Sequence, residues 1–170
     1  TSKYKISMAC LISRTGRELQ RYDQLGRRQV VGCIPYKLKE GSQSVDLEIL
    51  LISSQKTNAG MMFPKGGWEL DETVEQAAAR ESVEEAGVLG IVEGELGTWN
   101  FLSKRYGCYY EGYMFPLLVT QELEFWPEKD LRSRRWMNVE DARESCRHSW
   151  MVEALDKLVE RLASSCQIVH

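Results

Sequence analysis

The chain has 170 residues, 43% of them hydrophobic and 28% charged, with a net charge of −3. That length makes one domain with a sizeable core the economical expectation, spanning 1–170 with a body of about 27–163 and flexible ends. The longest apolar run, Met114 to Val119, is interrupted by Pro116 and far short of the ~18 residues of a membrane span, so no membrane partner is expected.

Five scattered cysteines (Cys10, Cys33, Cys108, Cys146, Cys166) form no Cys-x-x-Cys pair. They argue against a disulfide framework and a zinc knuckle, and point to a reducing compartment. Cys10 and Cys33 lie in apolar stretches and read as core. A cytoplasmic location, extending to the nucleus, is expected. The start Thr1-Ser2-Lys3 has no apolar signal core, and a removed targeting segment stands as the alternative.

In chain order, Gln29–Lys37 reads as a buried strand and Asp46–Ser53 as a second, joined by the polar turn Lys39–Ser44. The loop Ser54–Gly60 leads to a short strand, Met61–Phe63, which Pro64-Lys65-Gly66-Gly67 breaks. Thr73–Ala86 is helical, with Thr73-x-x-Gln76 as a capping box and Gly87 as the stop. A glycine-rich connection follows, then strands near Gly97–Ser103 and Tyr109–Thr120. Glu140–Ala163 reads as one or two amphipathic helices with Met151, Leu155, Leu158 and Leu162 on one stripe. Strands on either side of a central helix, closed by a terminal helix, predict an α/β fold: an α/β/α sandwich on a mixed sheet.

The central helix carries the chemistry. Between Glu69 and Glu85 stand seven acids and one base, a local charge of −6 that leaves +3 for the rest. Bases cluster at Arg27-Arg28, Lys37/Lys39, Lys104-Arg105 and Arg132/Arg134/Arg135. Acid set against base suits a divalent cation with a polyanionic ligand. Glu81 shares a helix face with Glu84 and Glu85. Such a cluster repels itself unless a cation neutralises it, and hard oxygens are what Mg²⁺ prefers. Arg80 is expected to pair with Glu84, four residues on. Gly66 and Gly67 let a backbone approach a ligand closely. Solvated surface charge remains the alternative for any single cluster.

Gly66, Glu72 and Arg80-Glu81-x-x-Glu84-Glu85-x-Gly87-Val88, at these spacings, resemble the Nudix box, with Ser82 standing where an aliphatic residue is usual. Further stretches are similar to the diphosphoinositol polyphosphate phosphohydrolase subfamily, in wording closest to its plant members. They are Arg28–Cys33, Leu50–Ser54, Phe63–Glu69 and Arg135-Trp136.

The resemblance implies a Nudix fold with its loop-helix-loop, and hydrolysis of inositol pyrophosphates and diadenosine polyphosphates with Mg²⁺ or Mn²⁺. It makes Glu81 and Glu85 metal ligands, Lys65 the donor of a backbone carbonyl, and Glu84 the base or a further ligand. Glu81 is also counted among the catalytic groups. Arg28, Ser54, Lys56, Lys104 and Arg132 fall where the family contacts phosphates. Gly66, Gly67 and Arg105 are counted with them, and Arg80 and Glu72 as supports. Trp150 stands where a further basic residue is expected.

A nucleotide hydrolase acting on diadenosine polyphosphates or capped RNA is the alternative, and a non-catalytic Nudix sensor a more distant one. Trp99, Tyr106, Tyr109 and Tyr110 are candidates to stack on a base, though core packing is the commoner role of strand aromatics. Neither a P-loop nor a Gly-x-Ser-x-Gly elbow is present, and two histidines do not make a His-rich metal centre. The expected partner is a small polyanionic phosphate compound, with no specific DNA binding and a monomeric state.

Overall fold

The computed structural model describes residues 13–39, 46–55, 60–103 and 106–167. Cys10, Lys56, Lys104, Arg105 and His170, with most of the turn after Lys39, lie outside the described residues.

The strands β1 (Arg28–Leu38), β2 (Leu47–Ser53), β3 (Met61–Met62) and β4 (Lys65–Gly67) precede helix α1 (Val74–Ala86). Strands β5 (Val88–Val92), β6 (Gly97–Ser103), β7 (Cys108–Glu122) and β8 (Arg134–Asn138) follow it, then helices α2 (Val139–Ser145) and α3 (Ser149–Gln167). The eight strands form one sheet with the central order β3-β2-β1-β7-β5. In it β4 adds to β1, β6 to β7 and β8 to β2. Among the described strands only β1 and β7 run parallel, from Arg28 opposite Tyr110 to Tyr36 opposite Leu118. The α/β/α class read from the sequence is the observed one.

Alternation along β1 and β2 feeds two cores. Val31, Cys33, Leu50 and Ile52 face Ala77, Ala78 and Ala86 of α1. Ile34, Ile49 and Leu51 face Met151, Leu155 and Leu158 of α3. Both faces of these strands are covered, so they read as continuous apolar runs rather than alternating ones. The expected stripe on α3 is observed, with Leu162 at its partly exposed end, and Cys33 is a core residue.

Three strands depart from the sequence reading. The expected break at Lys65–Gly67 is β4, paired antiparallel with Val30–Gly32. The glycine-rich connection after α1 contains β5, whose pairing with β7 shifts register between Leu89 and Gly90. There a Cβ would stand 2.0 Å from the Leu118 carbonyl oxygen, so Gly90 is what lets the two backbones meet. β8 is a charged strand, Arg134-Arg135-Trp136, laid along β2. Residues 13–26, outside the expected body, pack back on the molecule: Arg21 N–H donates to Trp68 O at 2.7 Å and Leu70 N–H to Leu19 O at 2.8 Å.

Candidate active site

Helix α1 starts on the expected capping box. Thr73 Oγ1 accepts from Gln76 N–H at 3.2 Å, and Gln76 Oε1 accepts from Thr73 N–H at 2.8 Å. It ends at Gly87, in the left-handed region (φ 63°), where a side chain would also collide with Trp126. Between these ends Arg80, Glu81, Glu84 and Glu85 are all buried.

Arg80 keeps its expected pair with Glu84, but only as its longest contact. Its guanidinium forks onto Glu72, Nε to Oε2 at 2.9 Å and Nη2 to Oε1 at 2.7 Å, and Nη2 also donates to Gly67 O at 2.8 Å. Nη1 reaches Glu81 Oε1 at 2.7 Å, whereas Glu84 Oε2 is 3.5 Å away. A guanidinium presents a planar fork to a carboxylate. The loop before α1 folds Glu72 back into that fork, a geometry helical spacing alone does not offer Glu84. Glu72 also accepts Glu69 N–H at 3.0 Å, so Arg80 and Glu72 together hold the loop against the helix.

Gly66 meets Glu81 across this loop. A Cβ on Gly66 would lie 2.2 Å from the Glu81 carboxylate, so the loop is cut back to admit that group. Glu85 Oε2 accepts Lys65 N–H at 3.0 Å and Oε1 accepts Arg132 Nη2 at 2.9 Å. Ser82, the departure from the usual box, is fully buried and donates its hydroxyl to Ala78 O at 2.9 Å. Its polarity is satisfied within the helix, and the position still packs inward.

A cleft of about 260 Å³ opens over Glu81, Glu84 and Glu85, with Lys65, Gly66 and Gly67 on its floor. Arg28 and Tyr110 form its flank. A larger depression of about 360 Å³ lies between β8 and α2, around Arg135, Asp141 and Glu144. It gathers none of the loop or helix groups above, which line the smaller cleft.

Three lining residues carried no signal in the sequence. Arg14 donates its backbone N–H to Glu84 Oε1 at 3.2 Å, and its guanidinium binds Glu69 and, at 2.9 Å, Asp71. Gln20 lies against Gly67 and accepts from Arg28 Nε. Both come from a segment without periodicity. Glu128, from the turn between β7 and β8, binds Arg132 at 2.7 Å, and its N–H donates to Glu84 O at 3.0 Å.

Among the expected phosphate contacts, Arg28 sits 5.3 Å from the Tyr110 ring centre and Arg132 is committed to Glu85, Glu128 and Ser53 O. Ser54 lies at the end of β2, its N–H donating to Gly60 O at 3.3 Å. Trp150, where a basic residue is expected, is buried and stacks on Phe101 at 5.1 Å with the rings 15° apart.

Desolvation pushes the Glu81 and Glu85 carboxyls well above the usual carboxylate range, and Glu84 in the same direction. The Lys65 ammonium is pushed down, first by burial and then by Arg28 and Arg132. Buried anions with hard oxygens fit a divalent cation. As they stand, the three carboxylates do not gather on one point. Arg80 supplies the counter-charge to Glu81 and Glu84, and Arg132 to Glu85.

A model of the NUDIX domain matches residues 26–162, and the chain belongs to the Nudix family. It is similar to Nudix hydrolase 17, mitochondrial, of Arabidopsis thaliana, 65% identical over 92% of this chain and 87% of the relative. Diphosphoinositol polyphosphate phosphohydrolase 3-alpha of Mus musculus is 33% identical over 83% of this chain and 84% of its own length. An Ap4A hydrolase from C. elegans shares the fold, with a TM-score of 0.63 at 22% identity, over 81% of this chain and 98% of its own.

The protein is a Nudix hydrolase of pyrophosphate bonds, in a family that binds phosphate-containing substrates and uses divalent cations. No described helix is long and apolar enough to cross a membrane. The expected cytoplasmic location is overturned, because the plant relative at 65% identity is a mitochondrial hydrolase by name.

Proposed function

We propose that this hydrolase removes the β-phosphate of diphosphoinositol polyphosphates, using Mg²⁺ or Mn²⁺. The observation that carries this reading is the character of the cleft. Glutamates and cations line it together, and the one aromatic ring lining it among the described residues, Tyr110, is 7% exposed. Phe101 meets that ring edge-on at 5.6 Å and Arg28 lies 5.3 Å from its centre. Such a cleft suits a dense shell of phosphates better than a flat apolar base. The kinship with the mouse phosphohydrolase supports the same substrate class.

Glu81, Glu84 and Glu85, with the backbone of Lys65, would hold the cation. When bound, it offsets charge on the phosphate oxygens and lowers the pKa of the attacking water. Glu84 takes the proton of that water, whose oxygen bonds to the terminal phosphorus. The bond from phosphorus to the bridging oxygen breaks, leaving inositol polyphosphate and orthophosphate. Arg28 orients the phosphates that do not react. Lys56, Lys104 and Arg105 are assigned to the same task on resemblance alone. The chain acts as a single-domain monomer, and kinship with the plant relative supports a mitochondrial location.

The test is a substrate panel of inositol pyrophosphates and diadenosine polyphosphates at low and near-physiological ionic strength. Inositol pyrophosphates should turn over faster, with a steeper salt dependence because recognition is largely ionic. Chelator should abolish turnover, and Glu85→Gln should lose roughly 10²–10⁴ in rate, as when a positioned catalytic group is removed. Useful turnover of adenosine compounds alone overturns the substrate. The exposed Tyr106 and Tyr109 on the β6–β7 hairpin would then be the stacking platform of the second reading.

A further inference from the structure

Ion pairing divides the cations around the cleft into two sets. Arg14, Arg80 and Arg132 are each bound to acids. Arg17, Arg28 and Lys65 have no carboxylate within ion-pair distance among the described residues. They lie instead against a run of aromatic side chains. Lys65 Nζ is 5.7 Å from the Phe101 ring centre, and the Arg28 guanidinium is 5.3 Å from that of Tyr110. Arg17 sits 4.3 Å over the Tyr106 ring and directs Nη2 to the Tyr110 hydroxyl at 3.4 Å.

A cation resting on an aromatic face is held in place while its charge stays uncompensated. A stacked guanidinium also keeps its planar fork, the geometry that grips a phosphate through two hydrogen bonds. Arg17 and Arg28 approach the same tyrosine, which lines the cleft, from two different segments.

We propose that Arg17, carried by the segment that precedes β1, is a specificity-determining residue. With Arg28 it forms an anion arm for the phosphate groups of the substrate remote from the bond that breaks. This rests on the reading of the cleft as a polyphosphate site and adds to it a contact from outside the Nudix loop and helix. The arm favours substrates with several phosphates beyond the scissile bond over those with one. Arg17 sits in no motif, and its role follows from what it touches and from what it lacks.

The test uses the full chain in chelator, where no hydrolysis competes, and two probes. Inositol hexakisphosphate has no diphosphate bond, and inorganic tripolyphosphate has no ring. Binding is measured by calorimetry for the wild type, Arg17→Ala and Arg17→Lys. Arg17→Ala should weaken both probes by about tenfold, the scale of one charge-assisted contact. Arg17→Lys should restore part of that loss by keeping the charge without the fork. Because Arg17 is exposed, its removal should leave the thermal midpoint unchanged.

In turnover of whichever diphosphate compound the enzyme cleaves, Arg17→Ala should raise KM and hold kcat. Wild-type affinity of Arg17→Ala for both probes overturns the arm. So does a fall in kcat at constant KM, which would make Arg17 only a brace for its segment. Loss of tripolyphosphate binding in a protein that cleaves no inositol pyrophosphate keeps the arm and discards the inositol substrate.

Discussion

Glycine 66 and glutamate 81 fix the scale on which this site is built. Gly66 is extended backbone within β4, so alanine there meets no backbone strain. What it meets is the Glu81 carboxylate, 2.2 Å from the new Cβ. The side-chain end can swing away cheaply, so Gly66→Ala should fold with a near-normal urea midpoint. Glu81 would leave its place, and activity should need a higher Mg²⁺ concentration or vanish. Wild-type metal dependence in Gly66→Ala would show that Glu81 does not work from where it stands. The box was legible in the sequence because its polar identities sit at fixed spacings. Of the partners of Arg80, Glu84 was legible and Glu72 was not, since helical geometry nominates residues four apart while the loop brings Glu72 from eight residues upstream. Arg14 and Glu128 had no signal at all: each arrives from a segment with no period, by tertiary packing alone.

Among the elements, α1 was readable at both ends because its caps are chemical. Thr73 and Gln76 satisfy each other's backbone donors, and Gly87 takes a left-handed turn that a side chain would resist. Thr73→Ala removes one of these acceptors and should cost about 1 kcal/mol. In urea the midpoint should fall with an unchanged slope. The catalytic constants should hold, because the glutamates are fixed by Arg80 and Arg132 two turns further on. A proportional loss of kcat would mean that the helix start, and not those arginines, sets the carboxylates. Two of the missed strands, β5 and β8, share a physical reason. β5 is crossed by Gly90 at its bulge, and β8 carries Arg134 and Arg135, so neither displays the apolar period of a strand. Both are recruited by a neighbouring strand whose unpaired backbone they complete.

For the molecule as a whole, the layer arrangement was legible from the order of elements, and the pairing of β1 with β7 was not. Burying Glu81 and Glu85 also sets how stability depends on pH. Their carboxyls, ordinarily near 4.5, are pushed up to about 8 and about 7 by desolvation. The folded protein therefore holds protons that the unfolded chain has released, and metal-free stability should fall as pH rises from about 4.5 to about 8. At lower pH the sign reverses through Asp71, whose carboxyl Arg14 holds below its usual range. Bound Mg²⁺ favours the ionised carboxylates and should flatten the fall. Thermal midpoints measured from pH 5 to 8 with chelator and with Mg²⁺ should diverge towards alkaline pH. Parallel curves would place the metal elsewhere.

The parallel pairing of β1 with β7 also has a kinetic consequence. Arg28 is opposite Tyr110, so the strand that anchors β2 and β4 waits for a partner about eighty residues later in the chain. Closing so long a loop is an entropic toll met before its contacts form, which favours slow folding. During synthesis, the stretch through α1 leaves the ribosome with the flank of β1 still unpaired. Helix α1 is thus complete as a local structure well before Tyr110, the ring against which Arg28 lies, has been made. Whatever the compartment, the chain passes through an interval in which its glutamates stand on α1 and one wall of the cleft, β7, does not yet exist.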